Sequence, residues 1–188
     1  MADTWDTTAR GVDILKDAAE RYQPAAAYPA NAFGKGLQQG AQLVAADVGT
    51  RVLYLALGSF DTHANEKGPH ATLLTQVADG LAAFQRDLEH MGRADRVLVV
   101  GFSEFGRRVR ENGSSGTDHG AAGPMFALGS GVRGGLYGDP PSLANLDDGD
   151  LRHTIDFRSV YATVLEDWLG VASRRILGDS YDRLGVVL

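Results

Sequence analysis

The chain has 188 residues, 44% of them apolar and 22% charged, which is the composition of one ordinary globular domain and excludes wholesale disorder. The net charge is -6 and no basic block is present, so a nucleic acid or an anionic membrane surface is excluded as the main partner. The chain contains no cysteine. Disulfides, thiolate metal sites and a cysteine nucleophile are therefore excluded, and His, Asp and Glu are the strong metal ligands that remain.

No stretch of the sequence predicts insertion into a membrane. No apolar run reaches the ~18 residues of a membrane-spanning helix, and the opening MADTWDTTARGVDILKD lacks the basic start and apolar run of a secretory signal. We therefore expect no membrane partner and a cytoplasmic location for the chain as given. Glycine is frequent, with 24 residues and a cluster at 113–138, which predicts tightly turning loops there.

Residues 1–48 are predicted to be a helical lead-in to the rest of the chain. Apolar residues recur at helical spacing over 6–22. A second helix is predicted over 31–47, and Gly49 is expected to end it. We treat the whole chain as a single domain in which residues 49–188 form an α/β core.

This core begins with two apolar runs on either side of an amphipathic pattern. RVLYLAL at 51–57 and RVLVVGF at 96–102 are short and rich in β-branched residues, and both are predicted to be buried parallel strands. Residues 70–91 carry apolar side chains at intervals of three and four, as an amphipathic helix does, and Gly92 ends the pattern. Strand, helix and strand in this order predict a right-handed βαβ crossover.

Three further elements are predicted after the second strand. PMFALGS at 124–130 indicates a shorter third strand, and GVRGGLYG at 131–138 indicates a turn or hairpin. The last helix is predicted over 156–170, with Asp156 as its N-cap and Gly170 as its end. The strands are expected to lie in one mostly parallel sheet.

Polar residues cluster in the loops next to these predicted strands. In an open α/β sheet, the loops at the carboxyl ends of the strands carry the ligand-binding residues. The three clusters are Asp61, His63 and His70; Ser103, Glu104, Arg107 and Arg108; and Asp118 and His119. Carboxylates and imidazoles in this number are ligands that zinc, manganese or iron accept, and they suffice for one or two divalent ions.

Simpler explanations exist for single members of these clusters. Asp61 and Asp118 can cap turns, His70 can start a helix, and His63 can be an exposed loop residue. Their joint placement favours a metal site, because three of the five histidines fall in these loops with acids beside them.

The second cluster leaves alternatives open. Glu104 is either a metal ligand or the partner of Arg107 or Arg108, and the two arginines either clamp a phosphate or sulfate group or pair with a nearby acid. GSSGT at 113–117 lacks the lysine of a nucleotide-binding loop and is predicted to be a flexible loop. Spacing singles out no serine or threonine as a nucleophile.

Four segments, in the same order, resemble the C-terminal part of a known bacterial family. They are GSFDTHANEKGPH, RVLVVGFSEFGRRVRENGSSGTDHGAAGPMFALG, GGLYG and TIDFRSVYATVLEDWLG. The family is the domain-of-unknown-function family 1501, which is assigned to the alkaline phosphatase and sulfatase-like superfamily. The resemblance runs over nearly the whole chain and is carried by long segments, which makes it more specific than one short motif.

This resemblance implies a three-layer α/β/α fold with a mostly parallel sheet, truncated at the N-terminal side. It also implies hydrolysis or transfer of phosphate or sulfate esters at a centre of zinc or manganese ions. The residues that resemble superfamily ligands are Asp61, His70 and His119. Glu104 stands where many members carry an adjacent Asp-His pair, so the ligands of the second metal stay open, with His63 or Asp118 as replacements.

Superfamily enzymes usually take their nucleophile and an early aspartate ligand from a segment ahead of the part matched here. We therefore expect a truncated chain, whose full-length relatives are typically exported. The expected function is that of a metal-dependent hydrolase-like domain acting on phosphate or sulfate esters. The alternative is a non-catalytic metal-binding or interaction domain, in which a second copy or a partner chain covers an exposed sheet edge.

Overall fold

The computed structural model describes Lys16 and residues 20–188, which fall into two compact units. Unit 1 holds the described residues up to Asp61 together with Lys67–Ala94, and unit 2 holds Thr62–Glu66 together with Asp95–Leu188. The helix predicted over 6–22 lies mostly outside the described residues. Within the described part, each helix is too short or too polar to cross a membrane.

Two packed helices form unit 1. Helix α1 covers Ala32–Ala46 and helix α2 covers Lys67–His90, so the helices predicted over 31–47 and 70–91 are confirmed. Asn31 caps α1, because its Oδ1 accepts a hydrogen bond from the Gly34 N–H at 2.8 Å. The helix ends at Asp47, which takes the left-handed conformation, two residues before the predicted Gly49.

The facing sides of α1 and α2 make the core of unit 1. The buried apolar residues are Leu37 and Ala41 on α1 and Leu73, Ala83, Phe84 and Leu88 on α2. Gly80 lets the helices approach closely, because a Cβ there would lie 2.9 Å from Leu37 Cδ1 and 3.2 Å from the Phe33 ring. The stripe of apolar residues read from the sequence is therefore the packed face of α2.

The buried strand predicted over 51–57 is wrong. None of these residues is in a strand, and Val52 and Tyr54 are 71% and 76% exposed. Leu55 alternates with them and approaches α1, where a Cβ on Gly36 would lie 2.8 Å from Leu55 Cδ2. A run of apolar residues predicts a segment that is buried on both faces. In the structure, α1 covers only one face of residues 51–57.

Unit 2 contains three two-stranded sheets within the described residues, and all three are antiparallel. A short 3₁₀ helix at Ala94–Arg96 precedes the first strand. The pairs are β1 (Val99–Gly101) with β4 (Phe126–Leu128), β2 (Gly106–Glu111) with β3 (Thr117–Gly120), and β5 (Leu146–Asp147) with β6 (Asp150–Leu151). In the first pair Val100 lies opposite Ala127, so the strands predicted over 96–102 and 124–130 exist only in part.

The predicted three-layer α/β/α fold with a mostly parallel sheet is therefore wrong, and so is the βαβ crossover. The chain is a small α/β structure whose strands pair in short antiparallel pairs. The physical reason is that an apolar run indicates an extended, buried segment and carries no information on which segment it pairs with. Here β1 takes β4 as its partner, after the chain has reversed through β2 and β3.

A helical segment follows the last strand pair. Helix α3 covers Phe157–Thr163, continues as a π-helical turn over Val164–Trp168, and is followed by the short helix α4 at Arg174–Leu177. Asp156 is the N-cap of α3 as predicted, since its side chain accepts from the Arg158 N–H at 2.8 Å. Gly170 follows the end of the π-helical turn and has a φ of +65°, a conformation that glycine adopts without strain.

Candidate functional site

The hairpin of β2 and β3 carries Arg107, Arg108, Asp118 and His119. Arg107 and His119 are directly opposite each other in the ladder. We expected these residues in loops, because their segments flank the predicted strands. Main-chain pairing across a short connection forms a hairpin there instead.

Residues Thr62–Glu66 lie along the tip of this hairpin. The Asn65 N–H donates to Ser114 O at 2.9 Å, and the Glu66 N–H donates to Ser115 O at 3.0 Å. Gly116 permits this approach, because a Cβ there would lie 2.4 Å from the His63 carbonyl carbon. The segment that carries His63 is thus held beside β3.

An ion pair and hydrogen bonds brace the same contact. The Arg107 guanidinium donates to Thr117 O at 2.6 Å, and its Nε lies 3.6 Å from Glu66 Oε1. The other Glu66 oxygen accepts from Thr117 Oγ1 at 2.7 Å. The three side chains are half-buried, so this network restrains Glu66 and the chain before it.

His63, Asp118 and His119 form the polar cluster of unit 2. His63 Nδ1 lies 3.1 Å from Asp118 Oδ1, and the rings of His63 and His119 are 5.0 Å apart between centroids. A ring nitrogen of His63 lies within 4.8 Å of one of His119. Phe105 stacks on His119 at 3.9 Å with the ring planes 8° apart, which fixes the plane of that imidazole.

Asp61 directly precedes this cluster along the chain. It stands two residues before His63 in the sequence and is the last residue of the first segment of unit 1. Asp61, His63 and His119 are all exposed. One carboxylate and two imidazoles are a common donor set for zinc and for other first-row metal ions.

Hydrogen bonds shift the acidity of Asp118. The bond with His63 and then the bond from Asn112 lower the pKa of the Asp118 carboxyl below its ordinary value. The carboxyl group is exposed, so it is charged at neutral pH. For the neutral His63 ring, a carboxylate 3.1 Å from Nδ1 requires the proton to be on Nδ1.

The other residues predicted for the site have contacts of their own. His70 belongs to unit 1, in the first turn of α2, where its ring packs edge-on against Phe60 with centroids 5.8 Å apart. Glu104 is exposed in the bend between β1 and β2. Arg108 Nε lies 3.6 Å from Asp150 Oδ1, and its guanidinium also donates to Asp148 O at 3.2 Å.

Some residues that hold this cluster were not predicted from the sequence. They are Glu66, Phe105 and Asn112, together with Thr117, which hydrogen-bonds to Arg107 and Glu66. Asn112 is the one with a readable signal, because Asn followed by Gly favours a tight turn. Glu66 and Phe105 act through contacts with residues far away in the chain, and no local pattern marks them.

The fold and this donor set define a small α/β protein with an exposed histidine and carboxylate cluster. The family of proteins of unknown function DUF1501 matches residues 11–180. The chain belongs to the DUF1501 family, as the resemblance predicted. Comparison with curated proteins and with solved structures found no match to the chain.

Proposed function

We propose that this chain is a metal-dependent hydrolase-like domain that acts on phosphate or sulfate esters, with its divalent ion at His63 and His119 and with Asp61 as the third ligand that the resemblance implies. The observation that supports the proposal is the approach of the His63 and His119 ring nitrogens within 4.8 Å of each other. Relation to the alkaline phosphatase and sulfatase-like superfamily is part of the proposal, and it is based on the resemblance of the polar segments.

The chemistry of the donors suits the ion proposed. Two imidazoles and one carboxylate are a ligand set of catalytic zinc sites, in which a further position stays open to water or substrate. Manganese accepts the same donors. Asp118 fits the position next to the ligands, because a histidine that binds a metal commonly donates its other ring N–H to a carboxylate. We therefore assign Asp118 to orienting His63 through Nδ1, so that Nε2 is the ring nitrogen directed to the ion.

A bound divalent ion would polarise the ester oxygen and activate a hydroxyl or water nucleophile. The chain's own residues hold the ligands in place. Phe105 restrains the plane of His119 by stacking. Arg107 is paired with Glu66 and Arg108 with Asp150, so we assign both arginines to bracing the hairpin and not to clamping the ester.

Metal loading and turnover test this proposal together. The protein is equilibrated with zinc, manganese or magnesium, its metal content is measured by elemental analysis, and hydrolysis of a phosphate monoester and a sulfate ester is followed. We expect His119→Ala and Asp61→Ala to abolish both stoichiometric metal and hydrolysis. His153→Ala, an exposed histidine of unit 2, is the matched control and should change neither. Unchanged metal stoichiometry in His119→Ala would refute the ligand assignment.

A second candidate function is a non-catalytic interaction domain. It is favoured by the exposed apolar side chains of Val52 and Tyr54, because exposed apolar residues grouped along a segment are typical of contact surfaces. Light scattering gives the mass in solution, and the assays above give the turnover. Hydrolysis by a monomer supports the enzyme, whereas stoichiometric metal without turnover supports a metal-binding domain that is not catalytic.

A further inference from the structure

Asn112 is the first residue of the connection between β2 and β3, and its side chain contacts both His63 and Asp118. Its Nδ2 donates to His63 O at 3.0 Å and to Asp118 Oδ1 at 3.3 Å. Its Oδ1 accepts from the Ser114 N–H at 2.9 Å and from the Gly116 N–H at 3.2 Å. A carboxamide has two N–H donors and two lone pairs on its oxygen, so the side chain is fully used.

The amide oxygen and the amide nitrogen of Asn112 bind different parts of the protein. The oxygen holds the turn at 112–116, as asparagine often does in an Asx turn. The nitrogen reaches out of the turn to the main chain of His63 and to Asp118, the carboxylate that His63 Nδ1 faces. One Asp118 oxygen, Oδ1, thus accepts from both His63 and Asn112.

We propose that Asn112 is a positioning residue of the candidate metal centre, which sets the main chain of His63 and directs Asp118 at its ring. This inference rests on the proposed function as far as the metal is concerned. Asp118 has a side chain that is 60% exposed, and an exposed carboxylate without such a tether would rotate among its staggered conformations. The donors of Asn112 select the conformation that keeps the His63 proton on Nδ1.

If Asn112 only stabilised the turn, its Oδ1 alone would matter. Substitutions can test the contribution of Oδ1 separately from that of Nδ2. Asn112→Asp keeps the acceptor for Ser114 and Gly116 and removes both donors. Asn112→Ser removes the donors as well, still supports a turn through its hydroxyl, and adds no charge. Asn145→Asp makes the same charge change at an exposed loop position of unit 2 and serves as the matched control.

The first measurement uses the metal-free protein. The ¹⁵N shifts of the imidazole rings report the tautomer of His63 at a pH at which histidine is neutral, and thermal unfolding reports the stability of the fold. We expect the Nδ1–H form of His63 to dominate in the wild type and in Asn145→Asp. In Asn112→Asp and Asn112→Ser its share should fall, while the unfolding temperature of Asn112→Ser stays close to that of the wild type. An unchanged tautomer in both variants would overturn the proposal.

The second measurement is zinc affinity by calorimetry. Loss of a residue that orients a metal ligand typically weakens binding by about 10–100-fold, and we expect a loss in this range for both Asn112 variants and none for Asn145→Asp. Wild-type affinity in both Asn112 variants would overturn the positioning role. If the wild type itself binds no zinc, the proposed function fails, and the tautomer measurement still decides the role of Asn112.

Discussion

Each of the two units contains an aspartate that accepts more than one hydrogen bond. The two aspartates differ in their burial and in the groups that donate to them. In unit 1, Asp87 is completely buried and accepts from Tyr22 OH, from Tyr28 OH at 2.8 Å and from the Ala25 N–H at 2.9 Å. In unit 2, Asp118 is exposed and accepts from His63 and Asn112. Acceptance of side-chain hydrogen bonds therefore does not by itself distinguish a structural carboxylate from one at the candidate site.

What distinguishes them is burial and the chemistry of the donors. Burial, with the hydrogen bonds to Asp87 added, raises the pKa of both Tyr22 and Tyr28, so these hydroxyls keep their protons at neutral pH and can donate to Asp87. His63 is a metal-ligand type at an exposed position. We conclude that Asp87 maintains the packing of unit 1, and that Asp118 serves the exposed cluster.

The largest effect that this comparison predicts is on the stability of unit 1. Asp87→Ala leaves the buried Tyr22 hydroxyl without its acceptor, and also the half-buried Tyr28 hydroxyl and the Ala25 N–H. We expect a loss of about 3 kcal/mol in the free energy of unfolding. Denaturant titration measures it. Asp79→Ala, on the exposed side of the same helix, is the control, and equal losses in the two variants would contradict a structural role for Asp87.

A smaller effect is expected where Thr62–Glu66 meets the hairpin. Gly116→Ala places a Cβ 2.4 Å from the His63 carbonyl carbon, which forces the two main chains apart. We expect a loss of about 1–3 kcal/mol in the free energy of unfolding, together with weaker zinc binding. Gly113→Ala is a matched control, because a Cβ there meets no atom within 4 Å. If Gly116→Ala is as stable as Gly113→Ala and binds zinc equally well, this contact does not position His63.

Asp118→Asn tests the exposed aspartate by itself. The variant keeps the shape of the side chain but removes the charge that stabilises the His63 Nδ1–H, so we expect zinc affinity to fall by about 10–100-fold. The unfolding temperature should stay unchanged, since Asp118 is exposed. The comparison is with Asp148→Asn, another exposed aspartate of unit 2. A large loss of stability would show that Asp118, like Asp87, has a structural role.

The smallest effect concerns a third aspartate, the N-cap Asp156. Hydrogen bonds from the side chain and N–H of Arg158 lower its pKa to about 2, below the ordinary value near 3.9 that the unfolded chain has. The carboxylate therefore contributes stability above the unfolded value, and that contribution is lost as the pH falls from about 3.9 through the folded pKa. Carbon-13 titration of the carboxyl group should give a higher pKa in Arg158→Ala and an unchanged one in Arg152→Ala.

The helices could be predicted from the sequence, and the sheets could not. The apolar spacing over 70–91 and the cap at Asp156 are local signals, which act between residues a turn or less apart. The apolar run at 51–57 gave no information on its neighbours, and the structure leaves one of its faces exposed. Strand pairing depends on segments that are distant in the chain, so periodicity cannot predict it.

The same division applies to the candidate site. Residue type and position predicted Asp61, His63, Asp118 and His119 as candidate ligands of a metal centre. Their arrangement, in which Asp118 contacts His63 and Phe105 stacks on His119, comes from the hairpin of β2 and β3. Sequence spacing did not predict its strands, because they are rich in charged residues and glycine, although Asn112 followed by Gly113 favours the turn between them.

By itself, the sequence determined the two long helices, the absence of thiol chemistry, the family and the donor types available to a metal. Only the tertiary structure decided that the strands pair in short antiparallel ladders, that His70 lies in unit 1 with α2, and that Asn112 joins His63 to Asp118. The physical reason is distance along the chain. Helical periodicity and capping are encoded within a few residues, whereas contacts across 49 or 55 positions, such as those of His63 with Asn112 and Asp118, exist only once the chain has folded.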